Sequence, residues 1–144
     1  GVDMISDGFR KPLLFLNCLP LSYIYSWSYC FHYPKNTYWK KTGKILTLKE
    51  LINNALPRSY QENIQNQTLI VKDLNSEEIL VSVKEAWGYF RGSLKLKKED
   101  TILQDRFWKI IKSEKKSAIL HGFIHPKSFV GFNWLKKQNE DFFN

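Results

Sequence analysis

The stretch that decides the fold covers residues 68–102 and reads TLIVKDLNSEEILVSVKEAWGYFRGSLKLKKEDTI. It opens with an apolar run at residues 69–71, and turn-forming residues follow at 73–76. Residues 78–83 then read EILVSV, in which β-branched side chains recur at every second position, as is typical of a strand. Two such runs joined by a short polar turn predict a β-hairpin.

A short helix and a new strand are expected after this hairpin. Residues 84–91 place Trp87 and Phe90 at helical spacing, and Gly92 can end a helical turn. Residues 97–103 read as a charged turn that leads into another strand. The order of hairpin, short helix and strand predicts a mainly β fold with short helices: a small, closed, five-stranded Greek-key barrel that carries an aromatic C-terminal extension.

Composition favours one domain with a basic surface. The 144 residues are 43% hydrophobic, which is enough to build a core. Aromatic residues make up 15%, so we expect some rings on the surface. The formal net charge of +8 favours polyanionic partners, above all nucleic acid. Residues 1–3, before Met4, are interpreted as an expression scar, and residues 4–144 as a single basic β-barrel domain.

Nothing in the sequence predicts a membrane partner. The longest apolar run, residues 13–16, is far short of the ~20 residues that span a bilayer. The sequence does not have the pattern of a signal peptide. Cys18 and Cys30 are expected to be reduced core thiols, with a disulfide between them as the alternative. These features predict an intracellular location, nuclear or cytoplasmic.

The N-terminal part of the chain predicts strands and one helix. Residues 12–20 are an apolar strand candidate, and residues 21–33 place five aromatic rings on alternate positions. That ring face could be the core, or part of it could be an exposed platform for stacking. Thr47 and Glu50 match a capping box, which predicts a helix over about residues 48–55.

Two segments supply candidate nucleic-acid contacts. Residues 34–43 are predicted to be an exposed loop, unless its two rings fold back onto the barrel. Residues 105–112 and 117–124 are predicted strands of a second hairpin, with a turn between them. The candidates combine cations for phosphates with rings for bases, and they are Tyr38, Trp39, Lys40, Lys41, Arg106, Trp108, Lys112, Lys115 and Lys116.

The sequence carries none of the common signatures of catalysis. There is no phosphate-binding glycine loop, no dinucleotide fingerprint and no zinc-ligand spacing. The carboxylates are scattered, and His121 and His125 bracket a predicted strand end. We therefore expect a non-enzymatic protein with no cofactor and no metal.

The central stretch resembles the OB-fold, the barrel that binds oligonucleotides. The runs at 69–71 and 78–83 resemble its second and third strands, and the helix with Trp87 and Phe90 resembles the segment before its fourth strand. Residues 96–102 are similar to the step that opens that strand, with glutamate where the family usually has glycine. Among OB-folds, single-stranded telomere end-binding proteins and their partners are the most similar. The resemblance implies a non-enzymatic domain that holds single-stranded DNA or RNA.

Two alternatives stay open. Residues 56–60 and 86–90 also resemble the pseudobarrel DNA-binding domains of plant transcription factors and some restriction enzymes, which implies duplex recognition. The third hypothesis is a protein-interaction barrel within a nucleic-acid-maintenance complex. Its partner surface would be the rings of the C-terminal segment: Phe129, Phe132, Trp134, Phe142 and Phe143.

Overall fold

The chain folds into a mixed α/β structure, so the prediction of a mainly β, closed barrel is wrong. The structure, a computed structural model, describes residues 2–21, 24–54, 68–114 and 123–144. In chain order the elements are α1 (Val2–Gly8), β1 (Leu13–Cys18), β2 (Cys30–Pro34), β3 (Asn36–Trp39), α2 (Leu48–Asn53), β4 (Leu69–Lys72), α3 (Ser76–Phe90), α4 (Lys98–Ser113), β5 (Ser128–Val130), α5 (Phe132–Lys137) and a final 3-10 helix (Glu140–Phe143).

A three-stranded parallel sheet forms the centre of the structure. Its order is β1-β2-β5, so the middle strand pairs with one strand before it and one far along the chain. Every residue of β2 is buried, as expected for a parallel strand with both faces covered. A second, two-stranded sheet pairs β3 with β4 in the antiparallel sense.

The predicted hairpin after residue 69 is instead one strand and one long helix. Strand β4 is present, but the EILVSV run lies inside α3. The Asn75 side chain accepts from the Glu78 backbone N–H at 2.9 Å, and the Glu78 side chain accepts from the Asn75 N–H at 3.0 Å. This capping box begins a helix that buries Ser82, Glu85 and Ala86. The β-branched alternation therefore did not decide the local structure.

The first strand of the second predicted hairpin is also part of a helix. Helix α4 begins after Lys97, whose backbone N–H donates to Asp100 at 2.9 Å. Its buried residues recur every three or four positions: Asp100, Gln104, Phe107, Trp108 and Ile111. The proposed strand at residues 105–112 and the barrel-opening step at 96–102 are therefore wrong. Residues 117–122 of the proposed partner strand lie outside the described residues.

Three predicted elements are confirmed at least in part. Strand β1 lies within the apolar segment at residues 12–20. Helix α2 begins after Thr47, which forms the expected capping box with Glu50. The predicted aromatic C-terminal extension is present as α5 and the 3-10 helix. Both cysteines are free.

Gly131 lets the sheet meet α5 at close range. A β-carbon at this position would overlap the ring of Tyr33, which is fully buried in β2. We therefore expect Gly131→Ala to lower the free energy of unfolding by about 1–3 kcal/mol. Urea denaturation would measure the change. The control is Gly8→Ala in α1, where a new β-carbon meets nothing within 4 Å. Equal stability of the two variants would contradict the close contact.

Candidate nucleic-acid interface

The predicted loop residues lie in and just after β3. Tyr38 and Trp39 are half-buried, whereas Lys40 and Lys41 are exposed. The Lys72 ammonium lies 5.3 Å from the Tyr38 ring centroid, and the Trp39 indole N–H donates to Glu50 at 3.3 Å. Trp39 also packs against the hydrophobic core. Of the two interpretations left open for this segment, inward packing describes Trp39.

The candidates on α4 separate into two groups. Arg106 donates to Glu140 at 2.6 Å, and its guanidinium lies 4.6 Å from the Phe143 ring centroid. Trp108 and Lys112 are one helical turn apart, and both line a cleft on another side of the helix. Lys115 and Lys116 lie outside the described residues.

A groove that the sequence did not predict lies where the strands of the parallel sheet begin. Because these strands are parallel, the residues that precede them meet at one edge of the sheet. Arg10 and Lys11 precede β1, Tyr29 precedes β2 and Lys127 precedes β5. The cleft measures about 520 Å³ and is lined by Asp7, Arg10, Lys11, Trp27, Ser28, Tyr29, His125 and Lys127.

Backbone hydrogen bonds hold the cleft residues in place. The Leu13 N–H donates to the Tyr29 carbonyl at 2.9 Å, and the Cys30 N–H donates to the Lys127 carbonyl at 3.1 Å. The Lys127 N–H donates to Nδ1 of His125 at 3.0 Å. The side chains converge as well, since the Lys127 ammonium lies 5.1 Å from the Tyr29 ring centroid. The edge of the sheet therefore holds the Lys127 ammonium over the Tyr29 ring, in a cation–π contact.

The Trp108 cleft adjoins this first cleft. It measures about 560 Å³, and His125 and Lys127 line both clefts. Trp108 is 8% exposed, and among the described residues its indole N–H has no hydrogen-bond partner. A buried donor of this kind is costly unless a ligand or water accepts from it. We call the two clefts together the basic groove.

Charge in the basic groove is predominantly positive. Its cations are Arg10, Lys11, Lys112 and Lys127, and its carboxylates are Asp7 and Asp105. The Asp7 carboxylate accepts from the Ser28 hydroxyl at 2.6 Å. Rings line the groove along with these charges: Trp27, Tyr29, Tyr89 and Trp108. This combination suits an anionic ligand that also presents flat rings.

A buried cysteine and histidine next to the groove do not form a nucleophilic pair. Cys30 Sγ lies 3.5 Å from His32 Nε2 and 3.5 Å from Ser128 Oγ. Burial raises the pKa of the Cys30 thiol to about 12 and lowers the pKa of His32 to about 4. The thiol is therefore protonated at neutral pH and cannot act as an activated nucleophile.

The part of the chain that the structure describes has neither a cluster of metal ligands nor a membrane-spanning helix. No group of three or more histidine, cysteine, aspartate or glutamate side chains in that part could hold a metal ion. None of its helices combines the length and the apolar character that a membrane crossing requires.

The groove residues that the sequence missed precede parallel strands. Arg10, Lys11 and Lys127 are not among the candidates that the sequence suggests. The Arg-Lys pair directly before an apolar strand was the available signal. This pair indicates a groove only once β1, β2 and β5 are known to be parallel. Compared with known proteins, the chain matches no family model, no curated protein sequence and no solved structure.

Proposed function

We propose that the basic groove binds single-stranded nucleic acid without catalysis. The observation that carries this proposal is the placement of Arg10, Lys11 and Lys127 around the Tyr29 ring at one edge of the parallel sheet. The cations neutralise backbone phosphates. The half-buried Trp27 and Tyr29 rings line the cleft with these cations and supply aromatic surface for bases, a contact typically worth about 1–3 kcal/mol per base.

The second cleft extends the contact surface. Lys112 supplies another phosphate contact, and the unpartnered indole N–H of Trp108 can donate to an acceptor on a base. Each cleft falls within the roughly 300–1,000 Å³ typical of small-ligand sites, so each suits one or two nucleotides. A net charge of +8 adds long-range attraction to a polyanion.

The two alternatives have less support from the structure. The duplex hypothesis depended on the loops of a pseudobarrel, whereas the strands form two small sheets. The protein-partner hypothesis depended on exposed rings in the C-terminal segment. Those five rings are all buried in the core: Phe129, Phe132, Trp134, Phe142 and Phe143.

Removing two groove cations should weaken binding of a short single-stranded oligonucleotide. We expect the double variant Arg10→Ala/Lys127→Ala to bind roughly tenfold more weakly at low salt, because two phosphate contacts are lost. The dependence of affinity on salt should become shallower by roughly 0.7 per lost contact. Fluorescence anisotropy at several salt concentrations measures both quantities.

The matched control is Lys40→Ala/Lys41→Ala. It removes the same charge from the exposed turn after β3, and neither of these two lysines lines the basic groove. We expect its affinity to stay within about threefold of the parent, because only long-range attraction is reduced. Equal weakening in both double variants, or no binding by the parent protein at micromolar concentration, would overturn the proposal. Tighter binding of duplex than of single strand would favour the duplex hypothesis.

A further inference from the structure

One face of α3 presents apolar side chains to solvent. Leu80 is 53% exposed, Val83 is 41% exposed and Trp87 is 60% exposed. They are three and four positions apart, so they form a continuous stripe along one side of the helix. We call these three residues the α3 stripe. Single exposed apolar residues are ordinary, but a contiguous row of them is typical of a binding surface, and tryptophan is enriched among the residues that contribute most to binding.

The stripe does not belong to the basic groove. Tyr89, on the inner side of α3, packs against Tyr29 at a ring centroid distance of 6.5 Å. The same inner side buries Glu85 and Ala86. The stripe therefore lies on the outer side of the helix, where it does not depend on the proposed nucleic-acid site.

The charges beside the stripe have opposite signs at its two ends. Glu77 is exposed in the first turn of α3, and Arg91 follows the last turn. The Arg91 guanidinium lies 5.4 Å from the Trp87 ring centroid. At about 100° per residue, Glu77 and Arg91 both lie along the same edge of the stripe. The surface is thus acidic at its amino end and basic at its carboxyl end.

We propose that a second copy of this chain covers the α3 stripe, with the two α3 helices antiparallel about a twofold axis. In this arrangement Leu80 of each copy faces Trp87 of the other, and the Glu77 end of each lies beside the Arg91 end of the other. A parallel arrangement would bring like charges together. Antiparallel pairing also opposes the two helix dipoles, and a twofold contact needs only this one self-complementary surface.

Lys84 marks the axis of the proposed pair. The twofold axis passes midway between Leu80 and Trp87, which is beside Val83 and Lys84. The two Lys84 side chains therefore lie near each other. Each can extend its ammonium to solvent along its apolar stem, but the repulsion weakens the pair. We expect Lys84→Gln to tighten the dimer by a few-fold.

Charge reversal tests the antiparallel pairing directly. In sedimentation velocity over a concentration series, we expect the parent chain to dimerise reversibly. Glu77→Arg and Arg91→Glu should each dissociate the dimer, because each places like charges together at both ends. An equimolar mixture of the two variants should restore it, because every end contact then joins opposite charges. A parent that remains monomeric, or a mixture that remains dissociated, would overturn the proposal.

Two valines provide a matched control on the same helix. Val81 and Val83 are both 41% exposed, but they lie about 200° apart around α3. We expect Val83→Glu to abolish dimer formation and Val81→Glu, which lies beside Glu77 at the edge of the contact, to weaken it far less. Circular dichroism would verify that both variants remain helical. Equal effects of the two substitutions would show that the stripe is not the contact surface and would overturn the proposal.

Discussion

Replacing Glu85 by alanine is expected to lower the free energy of unfolding by about 3–5 kcal/mol. Its buried carboxylate accepts from the Tyr33 hydroxyl at 2.5 Å and from the backbone N–H groups of Phe132 and Asn133 at 2.8 and 2.9 Å. Burial raises the pKa of the Glu85 carboxyl, whereas these three donors favour its ionised form. Alanine would leave all three donors without an acceptor.

Chemical denaturation followed by circular dichroism measures this loss. The control is Glu99→Ala on α4, whose carboxylate makes an exposed pair with Lys136 at 3.7 Å. We expect that variant to lose at most about 1 kcal/mol. Glu85→Gln should fall between the two, because its single oxygen can still accept from one or two donors. Comparable stability of Glu85→Ala and Glu99→Ala would contradict the role assigned to Glu85.

Acid should destabilise the fold through His32. This buried side chain stacks on Phe15 at a ring centroid distance of 5.3 Å, and its Nδ1 donates to the Phe129 carbonyl at 3.1 Å. Burial lowers its pKa from 6.5 to about 4. As pH falls from 6.5 to about 4, the unfolded chain binds a proton that the folded chain does not. The free energy of unfolding therefore falls by about 3 kcal/mol across this window. The contribution of neutral His32 to stability is fully present only above pH 6.5.

The variant His32→Asn separates this titration from other acid effects. Its amide can still donate to the Phe129 carbonyl, but it does not bind a proton in this range. The variant should be less stable than the parent at pH 7, because the smaller side chain leaves a cavity. Between pH 6.5 and 4 its free energy of unfolding should fall by about 3 kcal/mol less than that of the parent. Parallel pH profiles would rule out His32 as the cause.

The helices α2 and α3 show where prediction from the sequence succeeded and where it failed. The capping box of Thr47 and Glu50 was recognised, and it begins α2. The same pattern of an N-cap residue and a glutamate three positions later occurs at Asn75 and Glu78. The strand prediction for residues 78–83 followed the β-branched alternation instead, which reflects how side chains pack more than what the backbone prefers. The cap was the better signal because it satisfies backbone groups directly.

Whether residues 105–112 form a strand or a helix also decides which candidate residues are neighbours. In a strand, Arg106 and Trp108 would share a face, whereas in a helix they are about 200° apart. The helix instead aligns Trp108 with Lys112, and both line one cleft. The sequence shows which side chains could contact a nucleic acid, but which of them lie together depends on the secondary structure. The rest of the groove depends on the pairing of β2 with β5, which no local pattern encodes.

The position of β5 in the sheet has a consequence for synthesis. Strand β2 pairs with β5 through Cys30 and Ser128, which are 98 positions apart in the chain. While a ribosome is still adding the intervening residues, one edge of β2 has no neighbour. Contacts between such distant segments slow folding, because a long loop must close before they form. The nascent chain therefore carries an open, apolar strand edge until residues 128–130 emerge, which is the kind of surface that chaperones bind.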